Sequence, residues 1–189
     1  PDDDSGEPPL PYPERTTPEN VVEKLMLAYE KMELEAYIDC LSEDFTFFLN
    51  PHDIAEDPTL PMFWSRATEE AIHERMFGDS SSVDTLQLEL TLYGDPVEIP
   101  APDPGEPSLW QYNEEVELTL YTTDEPELVY GAYCGACFIL QADPADTTSS
   151  GEQLWRVTEW YDVGKWTRRP CRDDTPVTPV SWGMLKTMF

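Results

Sequence analysis

The sequence predicts an α+β domain in which N-terminal helices cover a curved antiparallel β-sheet. Three observations predict it. Apolar residues at helical spacing are confined to the chain before Gly78. Alternation of apolar and polar residues then runs through Leu86–Leu92 and Trp110–Tyr121, and Leu154–Val163 reads as a last strand. The 189 residues, 40% hydrophobic and 12% aromatic, suffice for one core without a covalent staple.

The elements follow in order. Residues 1–15, rich in Asp, Glu and Pro, read as a linker. Thr17 caps a first helix, Pro18 suits its first position, and Glu19 complements its dipole. Val22, Leu25, Tyr29 and Met32 share one face. A short second helix carries Leu34, Tyr37 and Leu41, and Phe45–Leu49 is β-prone. Residues 50–66, broken by Pro51, Pro58 and Pro61, read as a loop. A third helix starts near Thr68, with Glu69 and Glu70 in its first turn, and stops at Gly78. Gly94–Ser108 reads as a proline-rich loop between two alternating strands. The turn at Thr123–Pro126 predicts a hairpin into a buried strand over Leu128–Gln141. The domain spans residues 16–165. Residues 166–189 form an extension whose Trp182, Leu185 and Phe189 are apolar enough to dock on it.

Charge excludes several partners. Asp plus Glu number 39 against 11 Lys plus Arg, a net charge of −28. Such a surface repels phosphate backbones and anionic lipid, so nucleic acid is set aside. No run of about 18 apolar residues provides a transmembrane segment. The acidic, proline-rich lead reads as that of an exported chain, periplasmic or at the cell surface, with a lipid tether as one form of that expectation.

The order helix, helix, strand, helix, long strands, together with Glu19–Val22, Glu33–Tyr37, Ser42–Thr46 and the closing Leu154–Asp162, resembles the nuclear transport factor 2-like superfamily (NTF2-like or SnoaL-like, the cystatin-like cone). The resemblance covers about residues 17–163. It implies a cone whose mouth accepts a small molecule, and it leaves function open because the fold serves enzymes and adaptors alike. Isomerases of the superfamily use an acidic base at the end of strand one and a tyrosine in helix one. Those positions fall on Leu49 and Leu25, which can neither take a proton nor stabilise an oxyanion.

The remaining chemistry is sparse. Asp162, Tyr29 and His52 are the acid–base candidates. Tyr29, Phe48, Trp64, Trp160 and Asp162 are the candidate ligand-binding set, an aromatic lining with one carboxylate. His52 lies among Asp53, Glu56 and Asp57 without a histidine partner, and His73 among Glu69, Glu70 and Glu74 reads as a surface or rim residue. No metal site and no cofactor motif emerges. Cys134 and Cys137 fall on opposite faces of one strand, too far apart to bridge. In an oxidising compartment the candidate disulfide joins Cys171 to Cys134 or Cys137; otherwise the four cysteines are small apolar residues.

Three readings remain. The first is a non-enzymatic exported protein with a cone pocket for a small apolar ligand or a protein partner. The second is an isomerase, dehydratase or hydrolase of the same fold. The third is a self-associating module, a homodimer through the sheet.

Overall fold

The computed structural model describes residues 12–78, 81, 83–92, 94–100, 108–122, 129–165, 178–180, 183, 186 and 187. Residues 1–11 of the expected linker, the turn at Thr123–Pro126, Cys171, Trp182, Leu185 and Phe189 lie outside them.

Helix α1 (Pro18–Glu30) starts as its sequence dictates: Thr17 accepts from the Asn20 N–H at 3.3 Å, and Pro18 opens the first turn. Its buried stripe is Val21, Leu25, Ala28 and Tyr29. Met32, at φ 53°, makes the break before α2 (Leu34–Asp39). Strand β1 (Leu41–Phe48) follows, beginning earlier than the aromatic run alone suggests.

The segment read as a loop over 50–66 contains two short elements. Asn50 accepts from the His52 N–H at 2.9 Å and caps α3 (Pro51–Glu56), with Pro51 in its first turn. Strand β2 (Phe63–Ser65) pairs antiparallel with β1. Both are too short for periodicity to register. Helix α4 (Arg66–Phe77) ends at Gly78, where a Cβ would lie 2.6 Å from the Glu74 carbonyl oxygen.

The sheet is built from β3 (Val83–Leu92), β4 (Val97–Ile99), β5 (Leu109–Thr122), β6 (Val129–Thr147), β7 (Gln153–Lys165) and β8 (Thr178–Val180), with β1 and β2. Its order is β2-β1-β7-β6-β5-β3, an open sheet. The region read as a proline-rich loop contributes β4, which pairs with β5 beyond the end of β3. Gly94, at φ 83°, supplies the left-handed residue between β3 and β4. Most pairs are antiparallel, but β1–β7 and β6–β8 are parallel.

Helices α1, α2 and α4 cover one face and enclose a core of Tyr29, Tyr37, Phe47, Trp64, Phe138 and Trp160 with aliphatic neighbours. Register places Tyr112, Phe138 and Trp160 in one row across β5, β6 and β7, and Glu114, Ala136 and Asp162 in the next.

Arg15, read from sequence as linker, is 5% exposed. It donates to Asp39 at 2.9 Å, to Asp146 at 3.1 Å and to the Trp155 carbonyl at 2.8 Å. Lys24 and Arg156 complete the cluster from α1 and β7. The cluster ties the lead segment to the end of α2 and to the β6–β7 turn region. Because both carboxylates keep solvent contact, Arg15→Ala is expected to destabilise by about 2 kcal/mol, the range of charged hydrogen bonds rather than of a fully buried pair. Urea denaturation measures it, and an unchanged midpoint would show the cluster to be ornamental.

A buried carboxylate as candidate functional site

The inward stripe of α4 is Glu69, Ile72, His73 and Met76, all buried. An acid and an imidazole therefore occupy core positions of an otherwise apolar helix face. Glu69 has no solvent exposure. Its Oε1 accepts from the Tyr37 hydroxyl at 2.5 Å and from the Lys186 ammonium at 2.5 Å, and its Oε2 accepts from Trp64 Nε1 at 2.6 Å. Burial pushes the carboxyl up, but Lys186, His73 and Tyr37 outweigh it and hold it below the ordinary value. Burial, followed by the nearby Glu69 charge, raises both Tyr37 and Tyr29 well above the ordinary phenol range, so both stay protonated donors.

Lys186 is also fully buried. Its Nζ stands 4.0 Å from the ring centre of Phe47 and 4.2 Å from that of Trp160. Trp64 stacks on Phe47 at 4.5 Å with an interplanar angle of 7°. The Lys186 ammonium is thus packed between a carboxylate and two aromatic faces, the arrangement that favours a desolvated cation. Burial pulls Lys186 below the value of an exposed lysine, and the carboxylates of Glu69 and Asp162 pull it back.

The segment carrying Lys186 is placed by Asp162, which accepts from the Gly183 N–H at 2.8 Å. A helical bond from the Thr187 N–H to the Gly183 carbonyl, 3.2 Å, spans the same stretch. A Cβ at Gly183 would lie 3.1 Å from Asp162 Oδ2 and 3.3 Å from Leu49 Cγ, so close approach favours glycine there.

His73 packs against Tyr37 at 4.2 Å between ring centres. Its sequence reading as a surface or rim residue is corrected: it is fully buried. Nδ1 lies 2.9 Å from the Glu69 carbonyl oxygen, an acceptor, so Nδ1 carries the hydrogen and Nε2 is a bare acceptor. Among the described residues that Nε2 is buried without a hydrogen-bond partner.

The structure distributes the sequence candidates unevenly. Trp64 donates to Glu69, the Trp160 ring faces the Lys186 ammonium, and Asp162 accepts from the Gly183 N–H. Tyr29 is buried, with its hydroxyl 3.6 Å from Met76 Sδ. Phe48 lies on the opposite sheet face from Phe47, stacked on Tyr161 at 4.4 Å. His52 is exposed and pairs with Glu56 at 3.2 Å on α3. Leu49 and Leu25 are buried apolar residues. Sequence reasoning missed Glu69, His73, Lys186 and a further inner-face acid, Glu114, whose pKa burial pushes up to about 7. Ala136 separates Glu114 from Asp162 by a strand, so the two acids are two strand spacings apart, about 10 Å. The cysteines are consistent with their assigned faces: Cys134 is buried and Cys137 half-buried. Among the described residues no group of three or more His, Cys, Asp or Glu is placed to hold a metal ion, and no helix is long and apolar enough to cross a membrane.

No protein-family model matches the sequence, and no curated protein matches it. Solved structures do. A conserved protein from Planctomyces limnophilus DSM 3776 superposes with a TM-score of 0.54 at 10% identity, over 77% of this chain and 91% of that one. A protein from Novosphingobium aromaticivorans, named as a candidate aromatic ring hydroxylase, gives 0.52 at 14% identity, over 81% and 90%. An NTF2-like protein of unknown function from Pseudomonas putida KT2440 gives 0.46 at 12% identity, over 84% and 93%. At these identities the likeness to the first two is one of fold alone, an open sheet covered on one face by helices.

Burial pulls the His73 pKa from 6.5 to about 4, against the opposing Glu69 charge. The unfolded chain therefore binds one more proton than the folded chain between those values, and His73 makes stability fall as pH drops from 6.5 towards 4. At about 1.4 kcal/mol per pH unit, the full effect is about 3 kcal/mol. His73→Phe should flatten the pH dependence of urea stability in that window relative to the parent chain; parallel curves would refute a buried neutral imidazole.

Proposed function

We propose that this chain is a non-enzymatic binding module whose cone interior is a ligand chamber closed by its own Lys186 segment. The observation that carries the reading is the state of Glu69. It is the least exposed acid among the described residues, and both its oxygens are committed to donors, Tyr37, Lys186 and Trp64. A carboxylate held ionised by a buried cation and two fixed donors is arranged for recognition. General base work asks for a pKa poised near the working pH and reach to a substrate proton.

The acid–base candidates support the same reading by their dispersal. His52 is outside, Tyr29 faces Met76, and Asp162 is engaged by the Gly183 N–H. One observation favours the enzymatic alternative: Glu114, buried on the inner face, titrates near neutrality. Its distance from Asp162 gives it no paired acid.

Native mass spectrometry followed by denaturation tests the reading. The parent chain should emerge without an adduct. Gly183→Leu, which crowds Asp162 and Leu49 and so displaces the Lys186 stretch while keeping Glu69, Tyr37, Trp64 and Phe47 unsubstituted, should carry a non-covalent adduct released chemically unchanged. A covalent adduct, or a released molecule altered in a way that Glu114→Gln prevents, would replace the binding reading with the enzymatic one.

A further inference from the structure

The chamber holds an occupant already, and the chemistry of that occupant defines the ligand class. Lys186 contributes an ammonium on an unbranched alkyl stem. Its nitrogen donates to Glu69 at 2.5 Å and faces two aromatic rings at 4.0 and 4.2 Å. Glu69 does not depend on that lysine for its position: it is fixed separately by Tyr37 and Trp64, which reach it from α2 and β2. Phe47 is likewise fixed by stacking on Trp64. The wall is therefore preorganised for a cation, and the cation is delivered by a residue 117 positions away in sequence. His73 Nε2, buried and without a hydrogen-bond partner among the described residues, is a bare acceptor on the same helix face as Glu69.

We infer that the Glu69 chamber is a recognition site for a primary alkylammonium ligand, with Lys186 as an occupant in cis that such a ligand displaces. This rests on the binding reading above and gives it a ligand class. The nitrogen must carry hydrogens, since a quaternary ammonium cannot donate to Glu69. The stem must be apolar and slender, since it takes the path of a lysine side chain. The net charge of −28 raises the local concentration of cations around the chain and favours an amine over an anionic or neutral competitor. Lys186 competes intramolecularly, at an effective concentration on the order of millimolar, so the parent chain responds only to amine above that level.

The experiment uses Lys186→Gly, which removes both stem and charge, and n-butylammonium, which supplies both. The amine should raise the thermal midpoint of Lys186→Gly by several degrees, while n-butanol and n-butyltrimethylammonium at equal concentration leave it unmoved. Adding Glu69→Gln should weaken the amine response by about tenfold or more, as loss of a charge-assisted bond requires. If Lys186→Gly does not fold, the same titration is run on Gly183→Leu and read by the fluorescence of Trp64 and Trp160. Equal binding of n-butanol and the amine, or an amine response indifferent to Glu69, overturns the ammonium assignment and leaves a general apolar chamber. Absence of any response to any of the three compounds in a folded variant overturns both the ammonium assignment and the ligand chamber itself.

Discussion

The structure depends on one constraint: an ionised carboxylate at zero exposure must be neutralised where it stands. Transfer of an isolated charge into a protein interior carries a penalty of several kcal/mol even after relaxation, and a single hydrogen bond does not offset it. Glu69 is satisfied only because α2, β2 and the 183–187 segment converge on it. Each of those elements is then under demand. Tyr37 must remain a protonated donor. Trp64 must present its indole N–H from a three-residue strand that periodicity does not register. The 183–187 segment must approach Asp162 closely enough that Gly183 has little room for a side chain. Local features that look unrelated in sequence are consequences of one buried charge.

The same constraint explains why the candidates for catalysis do not assemble. A cone that works on a substrate keeps its acid–base groups uncommitted at the mouth. Here Asp162, on the inner face, accepts from the Gly183 N–H. The chamber below it is filled by Lys186. The acid that titrates near neutrality, Glu114, lies a strand beyond Ala136, and its shift has burial as its cause with no partner charge to tune it. On the proposed reading these electrostatics enclose a cation.

Much of the fold was legible because long elements announce themselves. Thr17-Pro18 set the start of α1, Gly78 the end of α4, and the alternation of Leu86 to Leu92 and of Trp110 to Tyr121 set two strands and their faces. Helix α3 and strands β2 and β4 were not legible: six or three residues hold less than two helical turns or two strand periods, and proline there reads as punctuation. At the site, the aromatic residues were found and the charges were missed. Glu69 in a first helical turn reads as a dipole partner, and His73 among glutamates reads as solvated. Yet 69, 72, 73 and 76 form an inward stripe with Ile72 and Met76, and an acid with a histidine four residues on inside such a stripe is a sign of a buried polar site. Lys186 carried no signal, because lysine is almost never fully buried and its partner is distant in sequence.

Stability alone does not account for the pair. An apolar side chain at 186 and another at 69 would fill the chamber without burying charge, and such replacements are often neutral or stabilising. What the ion pair adds is selectivity. A chamber walled by Phe47, Trp64 and Trp160 would accept any apolar body of fitting size, whereas Glu69 penalises every occupant that brings no positive charge. Of the 11 basic residues in a chain of net charge −28, Arg15, Lys24 and Arg156 are spent on the Asp39–Asp146 cluster and Lys186 inside the cone. Four of the scarce cations thus neutralise interior or half-buried acids, which leaves the outer surface still more acidic. On the proposed reading a strongly negative exterior and a cation-selective interior act in the same direction: the field gathers cations, and Glu69 selects the kind that can donate a hydrogen bond.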